Sequence, residues 1–242
     1  MMDLRYRNTE SELMDDPKVA IETLRLVFDD INKSNRLLGG NRITLNSVCK
    51  LIKEFPRKQY TIVDMGCGDG EMLRELASYF RNTEIEILLI GLDLNEKALT
   101  IARELSVDFP EITFLKQDIL ALKPLNFSCD ILLCTLTIHH FSNKQIPIFL
   151  SQFTKLAQIG IIINDLQRSA LAYYLFKGFS AIFIKTKIAK HDGLISIKSG
   201  FKKKDLITFS KNLSHIAHTI NWKWAFRYVW VMETSRLSQS YE

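Results

Sequence analysis

The sequence is poor in cysteine. It holds only Cys49, Cys67, Cys129 and Cys134, scattered and with no C-x-x-C pair. That argues against a zinc site or a disulfide framework and suits a reducing compartment. It also lacks a long apolar run. The longest, from Ala170 to Ile184, is broken by Lys177 and Gly178 and is too short to span a bilayer. Residues Met1 to Arg7 have no apolar core of the signal-peptide kind, so the expectation is a cytoplasmic protein without a membrane span. A strong excess of one charge is missing as well. The formal net charge is +5, whereas nucleic-acid binding shows a larger, clustered basic surplus. The expected partner is therefore a small molecule and not a nucleic acid, with the oligomeric state left open. The 242 residues, 47% hydrophobic and 24% charged, suit one soluble domain with room for a helical addition.

The most informative stretch runs from Tyr60 to Gly70. Thr61, Ile62 and Val63 read as a strand buried on both faces, ending at Asp64. Gly66, Gly68 and Gly70 follow, with Cys67 and Asp69 between them, and Glu71 to Phe80 has helical spacing. Such glycines let the backbone approach a ligand where a Cβ would collide, and the helix start presents free N–H groups. Two carboxylates, Asp64 and Asp69, would repel a pyrophosphate and suit a ligand with a cationic end. The spacing is G-x-G-x-G, not the dinucleotide G-x-G-x-x-G.

The acidic strand end and its glycine pattern resemble the first motif of the class I S-adenosylmethionine (SAM)-dependent methyltransferases. SAM carries a sulfonium and an ammonium, which agrees with the charge argument. The resemblance covers about residues 44–234 and implies SAM as cofactor, bound by Asp64, Gly66, Cys67, Gly68 and Gly70. It also implies a Rossmann-like α/β fold: a seven-stranded, mostly parallel sheet with a C-terminal antiparallel hairpin, N-terminal helices and a helical lid. The order of elements agrees, with β-α repeated and then two aromatic-rich strands, His218 to Trp224 and Arg227 to Thr234. The expected organisation is a helical extension over residues 1–55 and a SAM-binding domain over 56–242, with a lid-like insertion at about 166–205.

In the extension, Asp16 and Pro17 read as the cap and first position of a helix ended by Gly39-Gly40. A second helix is expected from Thr44 to Phe55. The next strand, Ile85 to Leu92, ends at Asp93. One carboxylate there can accept hydrogen bonds from both ribose hydroxyls, with Leu94 beside it; the alternative is that Asp93 caps the helix opening at Glu96. After the third strand, Ile112 to Lys116, the family pattern implies that Asp118 meets the adenine amino group and Ile119 packs on the ring. Asp118 reads equally as a helix cap.

The fourth strand, Cys129 to Thr135, leads to His139-His140. Ligands of open α/β sheets sit at the carboxyl ends of strands, so Thr135 is a cofactor candidate and both histidines are candidate general bases. The other reading is that an imidazole only shapes the pocket. Amino-methylating nucleic-acid enzymes carry Pro-Pro and an aromatic here, and this chain has no proline between Pro124 and Pro147. Asp165 and Arg168 follow the fifth strand, Ile159 to Asn164, and either bind a polar substrate group or pair with each other. A metal-dependent methyltransferase would place Asp-Asn here, where this chain has Asn164-Asp165, so no metal is expected.

The segment from Leu171 to Phe183 is apolar almost all round and is expected to be a buried helix. His191 to Phe201 reads as a polar loop, and Lys202 to Leu213 as a further helix. Tyr173 and His191 are the substrate-side candidates in this lid, whose aromatic density suits an apolar or aromatic acceptor. The expected reaction is methyl transfer to an oxygen or carbon of a small quinone-like or polyketide-like molecule. The rival classes are a nicotinamide oxidoreductase, a catalytically silent SAM-binding partner, and a protein or nitrogen methyltransferase.

Overall fold

Neighbouring residues Ile62 and Val63 are both fully buried, yet they belong to different apolar clusters. Successive side chains of a strand point to opposite faces, so both faces of this strand are covered. The computed structural model describes residues 3–119, 128–214 and 216–234. The end of the expected 56–242 domain, residues 235–242, lies outside them.

The strands are β1 (Gln59–Met65), β2 (Glu86–Asp93), β3 (Ile112–Lys116), β4 (Cys129–Thr135), β5 (Ala157–Leu166), β6 (Ala217–Lys223) and β7 (Arg227–Glu233). They form one seven-stranded sheet in the order β3-β2-β1-β4-β5-β7-β6. The first five are parallel, and β7 runs antiparallel between β5 and β6. The order reverses between β1 and β4, which opens a crevice at the carboxyl ends of those strands. This is the sheet implied by the family resemblance.

The helices are α1 (Ile21–Leu37), α2 (Gly40–Glu54), α3 (Glu71–Phe80), α4 (Glu96–Leu105), α5 (Ile146–Leu156), α6 (Ala170–Phe183), α7 (Lys187–Ser199) and α8 (Lys203–Ser210). One face of the sheet packs Phe149 and Phe153 of α5 with Trp230 of β7. The other packs Leu51 of α2 and Leu73 and Leu76 of α3. The N-terminal helices therefore divide. α2 joins the sheet core, while α1 packs Leu24 and Phe28 against Ala98 and Ile101 of α4 and so spans the crevice.

Several boundaries differ from the sequence reading. α1 starts at Ile21 and not at Asp16-Pro17, because the Asp16 carboxylate instead accepts from Lys18 N within a local turn. α2 starts at Gly40, four residues before Thr44, after a left-handed Gly39. α6 is not buried: Leu171, Tyr174, Leu175 and Ile182 are exposed, and only one flank meets the protein. The expected polar loop after it is the helix α7. Tertiary contacts override its weak propensity, since Asp192 accepts from the backbone of Leu13 and Met14. Gly193 lets α7 lie close to α6, where a Cβ would collide with the Phe176 ring.

Candidate active site

The crevice holds a cavity of about 1040 Å³ whose lining runs from the β1 and β2 ends to the start of β7. Its cofactor side is built by the glycine turn. Gly66 N and Cys67 N both donate to Leu92 O, at 2.8 and 3.0 Å, which ties the turn to the end of β2. Gly66 has φ +75°, and a Cβ there would collide with Thr137. Gly66, Cys67 and Gly68 line the cavity, and burial pushes the Cys67 thiol up, leaving it an inert part of the wall. Gly70 does not line the cavity; it lies against the Phe114 ring at the start of α3.

Asp64 is buried at the β1 end, and its Oδ1 has no hydrogen-bond partner. Burial, helped by the charge of Asp93, raises its pKa to about 7. Asp93 Oδ2 accepts from Gly68 N at 2.9 Å and its Oδ1 from Asn95 N at 2.8 Å. Asn95, and not Asp93, caps α4, accepting from Lys97 N and Ala98 N. Asp93 is thereby left facing the cavity with lone pairs to spare. Leu94, Asp118, Ile119 and Thr135 also line it, with the Thr135 hydroxyl 3.3 Å from that of Thr44. Asp69, whose carboxyl is pushed up by burial, accepts from Asn32 Nδ2 at 2.7 Å. A glycine-rich turn, an orphaned carboxylate oxygen and a ring of acids fit a nucleoside that carries a cationic tail. The residues present thus suit SAM.

The paired histidines occupy a short 3-10 turn, Ile138–His140, just past β4. They are not equivalent. His139 is buried between two carboxylates, with Nδ1 2.8 Å from Asp165 Oδ1 and Nε2 3.2 Å from Glu12 Oε1. Burial opposes its charge, but Asp165 and Glu12 prevail and raise its pKa to about 10. Burial likewise opposes the charges on Glu12 and Asp165, yet contact with His139 leaves both carboxyls below their ordinary range. His139 is thus an imidazolium with both N–H groups engaged and no lone pair to receive a proton. His140 stacks on it with ring centroids 4.4 Å apart. Its side chain is 30% exposed and faces the cavity, with Nδ1 3.4 Å from Asp15 Oδ2. Glu12, His139 and His140 have the donor types of a metal site, with their ligand atoms within 4.8 Å of one another.

The substrate-side candidates fall elsewhere. Asp165 and Arg168 do not pair with each other. Asp165 holds His139, while Arg168 donates to Asp205 Oδ2 at 2.9 Å and to Gly200 O at 2.5 Å. Neither lines the cavity, and Tyr173 and His191 do not either. His191 Nδ1 lies 2.9 Å from Asp192 Oδ1. The lining away from the glycine turn includes instead Leu175, Phe176 and Phe179 of α6, Trp224 and Phe226 of the β6–β7 turn, and Arg227. Arg227 is buried, donates Nη2 to Asn35 Oδ1 at 2.7 Å, and has no partner for Nη1. Burial lowers its pKa to about 10. Sequence reasoning missed Glu12 and Arg227 because each is a lone charged residue with no spacing signal. A long apolar run did mark the aromatic wall.

A family model described as a methyltransferase domain matches residues 62–160. The fold is similar to that of the plantazolicin methyltransferase BpumL in complex with SAH, with TM-score 0.68 and 16% identity over 90% of this chain and 91% of that one. It is also similar to magnesium protoporphyrin IX methyltransferase from Synechocystis PCC 6803 with bound SAH, with TM-score 0.56 and 19% identity over 90% and 89%. No curated protein matches the sequence. Residues 62–160 thus match a methyltransferase domain, and the chain has the fold of the class I, SAM-dependent methyltransferases.

Proposed function

We propose that the protein moves a methyl group from SAM to an oxygen or carbon atom of a small aromatic acceptor. The observation that carries the cofactor half is the orphaned Asp64 oxygen beside a glycine turn and a cavity-facing Asp93. SAM supplies an activated methyl on a sulfonium. Asp93 would accept the ribose hydroxyls, Asp118 the adenine amino group, and Ile119 would cover the ring. Asp64 would counter positive charge from beneath. The similar structures include ones holding SAH, and two are named for plantazolicin and magnesium protoporphyrin IX, which favours a small-molecule acceptor.

The acceptor half rests on the aromatic wall of Phe176, Phe179, Trp224 and Phe226. Such a wall holds a flat apolar molecule and excludes water, and positioning of this kind is worth roughly 7–11 kcal/mol of barrier. Arg227 at its end suits an acidic substituent on that molecule. His140 is the base. Both histidines line the cavity, but His140 is the more exposed of the two, and a proton it received would sit between the carboxylates of Glu12 and Asp15. His139 is a positioning residue that fixes the turn beneath it. The test is acceptor-dependent release of S-adenosylhomocysteine from SAM across a panel of phenols, quinols and aromatic acids. Equal turnover by wild type and His140→Ala on the best oxygen acceptor would remove the base from the scheme.

A further inference from the structure

α6 is the least buried apolar helix of the protein's lid. Leu171, Tyr174, Leu175, Gly178 and Ile182 recur at helical spacing and form one face. Leu171, Tyr174 and Ile182 are 59%, 61% and 77% exposed. The opposite flank is the one that packs, through Phe176 and Phe179 against Val27, Ile184 and Ala189. An exposed apolar stripe of this length on a helix that could have been polar marks a contact surface.

Charge says what the contact is. Between Asp165 and Asp192 the chain has no acidic residue, and it carries Lys177, Lys185, Lys187 and Lys190. Lys177, Lys185 and Lys187 are exposed. Lys33 reaches in from α1, donating from Nζ to Phe183 O at 3.0 Å. Asp192 is turned inward, onto the backbone of Leu13 and Met14. The Asp30 carboxylate at the end of α6 is likewise buried, accepting from Lys185 N and Thr186 N. An apolar helix face rimmed by lysines, in a stretch of chain without acids, matches a helix lying in the interface of an anionic bilayer. The stripe is also continuous with the cavity, because Leu175 belongs to both.

We propose that α6, with the lysines around it, docks on the surface of an anionic lipid bilayer and opens the cavity toward that surface. The helix lies on the membrane; among the described residues, none is long and apolar enough to cross it. The inference rests on the surface of α6 and stands apart from the identity of the acceptor.

The test is co-sedimentation of the full chain with vesicles of phosphatidylglycerol and phosphatidylcholine in equal parts, beside vesicles of phosphatidylcholine alone. The expected result is sedimentation with the anionic vesicles only, weakened by raised salt. Leu171→Ser/Tyr174→Ser/Ile182→Ser should cut the bound fraction roughly tenfold or more, since three side chains no longer enter lipid. Its circular dichroism and its affinity for S-adenosylhomocysteine should stay those of the wild type. Absence of sedimentation, equal binding to both vesicle types, or binding untouched by the triple substitution overturns the proposal. A wild-type dimer in light scattering that the triple substitution dissolves also overturns it, because a second copy then covers the face.

Discussion

Asp165 Oδ1 lies 2.8 Å from Nδ1 of His139, and both side chains are buried. Glu12 closes the other side of the same ring at 3.2 Å. Two carboxylates on one imidazole make it a permanent cation at neutral pH and remove it from proton transfer. This pairing separates the roles of two histidines that are adjacent in the chain.

His139→Gln should therefore cost stability before it costs chemistry. It leaves Glu12 and Asp165 buried without their cation, a loss of about 3–5 kcal/mol by denaturant unfolding. The pH dependence has a definite sign. The folded pKa is raised from 6.5 to about 10, so the stabilisation is complete below pH 6.5 and is lost as pH climbs through 10. Melting midpoints should fall across that window in the wild type and show less of this fall in the variant.

Asp64 has linkage of the same sign in a lower pH window. Its pKa rises from 3.8 to about 7, so the folded protein retains a proton that the unfolded chain releases, and stability falls as pH rises between those values. Asp64→Asn should remove that slope and stabilise the free protein at pH 8, by at most about 4 kcal/mol. The same change should weaken SAM binding at least tenfold, read by calorimetry. Stability gained together with affinity lost is the signature of a carboxylate kept for a cationic ligand.

Arg227 has no ion-pair partner among the described residues, and its Nη1 is unpaired. Replacing an uncompensated buried charge with an apolar side chain of similar length is neutral or stabilising, by about 1–4 kcal/mol. Arg227→Met should raise or preserve the melting midpoint of the free protein. Clear destabilisation would assign Arg227 a structural role through Asn35.

His140→Ala should lower kcat for an oxygen acceptor by roughly 10²–10⁴-fold, the range of a general base, with binding of S-adenosylhomocysteine intact. A change confined to KM would make His140 a wall of the pocket.

Much of the cofactor side was legible in the sequence because its signals are local. The β1 end, the glycine turn and Asp93 follow one another within a single βαβ unit, and the hairpin at the end named the sheet. On the other side of the cavity only the aromatic run of α6 was legible. The partners of His139 lie 26 residues downstream and 127 upstream, so only the fold shows that one histidine of the pair is neutralised as a base. Apolar periodicity also failed to say whether α6 is core or surface. A helix apolar all round satisfies either reading, and the absence of acids around it was the signal that could have separated them.

The central claim is a SAM site organised by Asp64 and Asp93. Calorimetric titration with S-adenosylhomocysteine, comparing the wild type with Asp93→Ala, tests it most directly. The account predicts saturable one-site binding that weakens at least tenfold in the variant while the fold is retained. No binding by the wild type, or equal binding by both proteins, would contradict it.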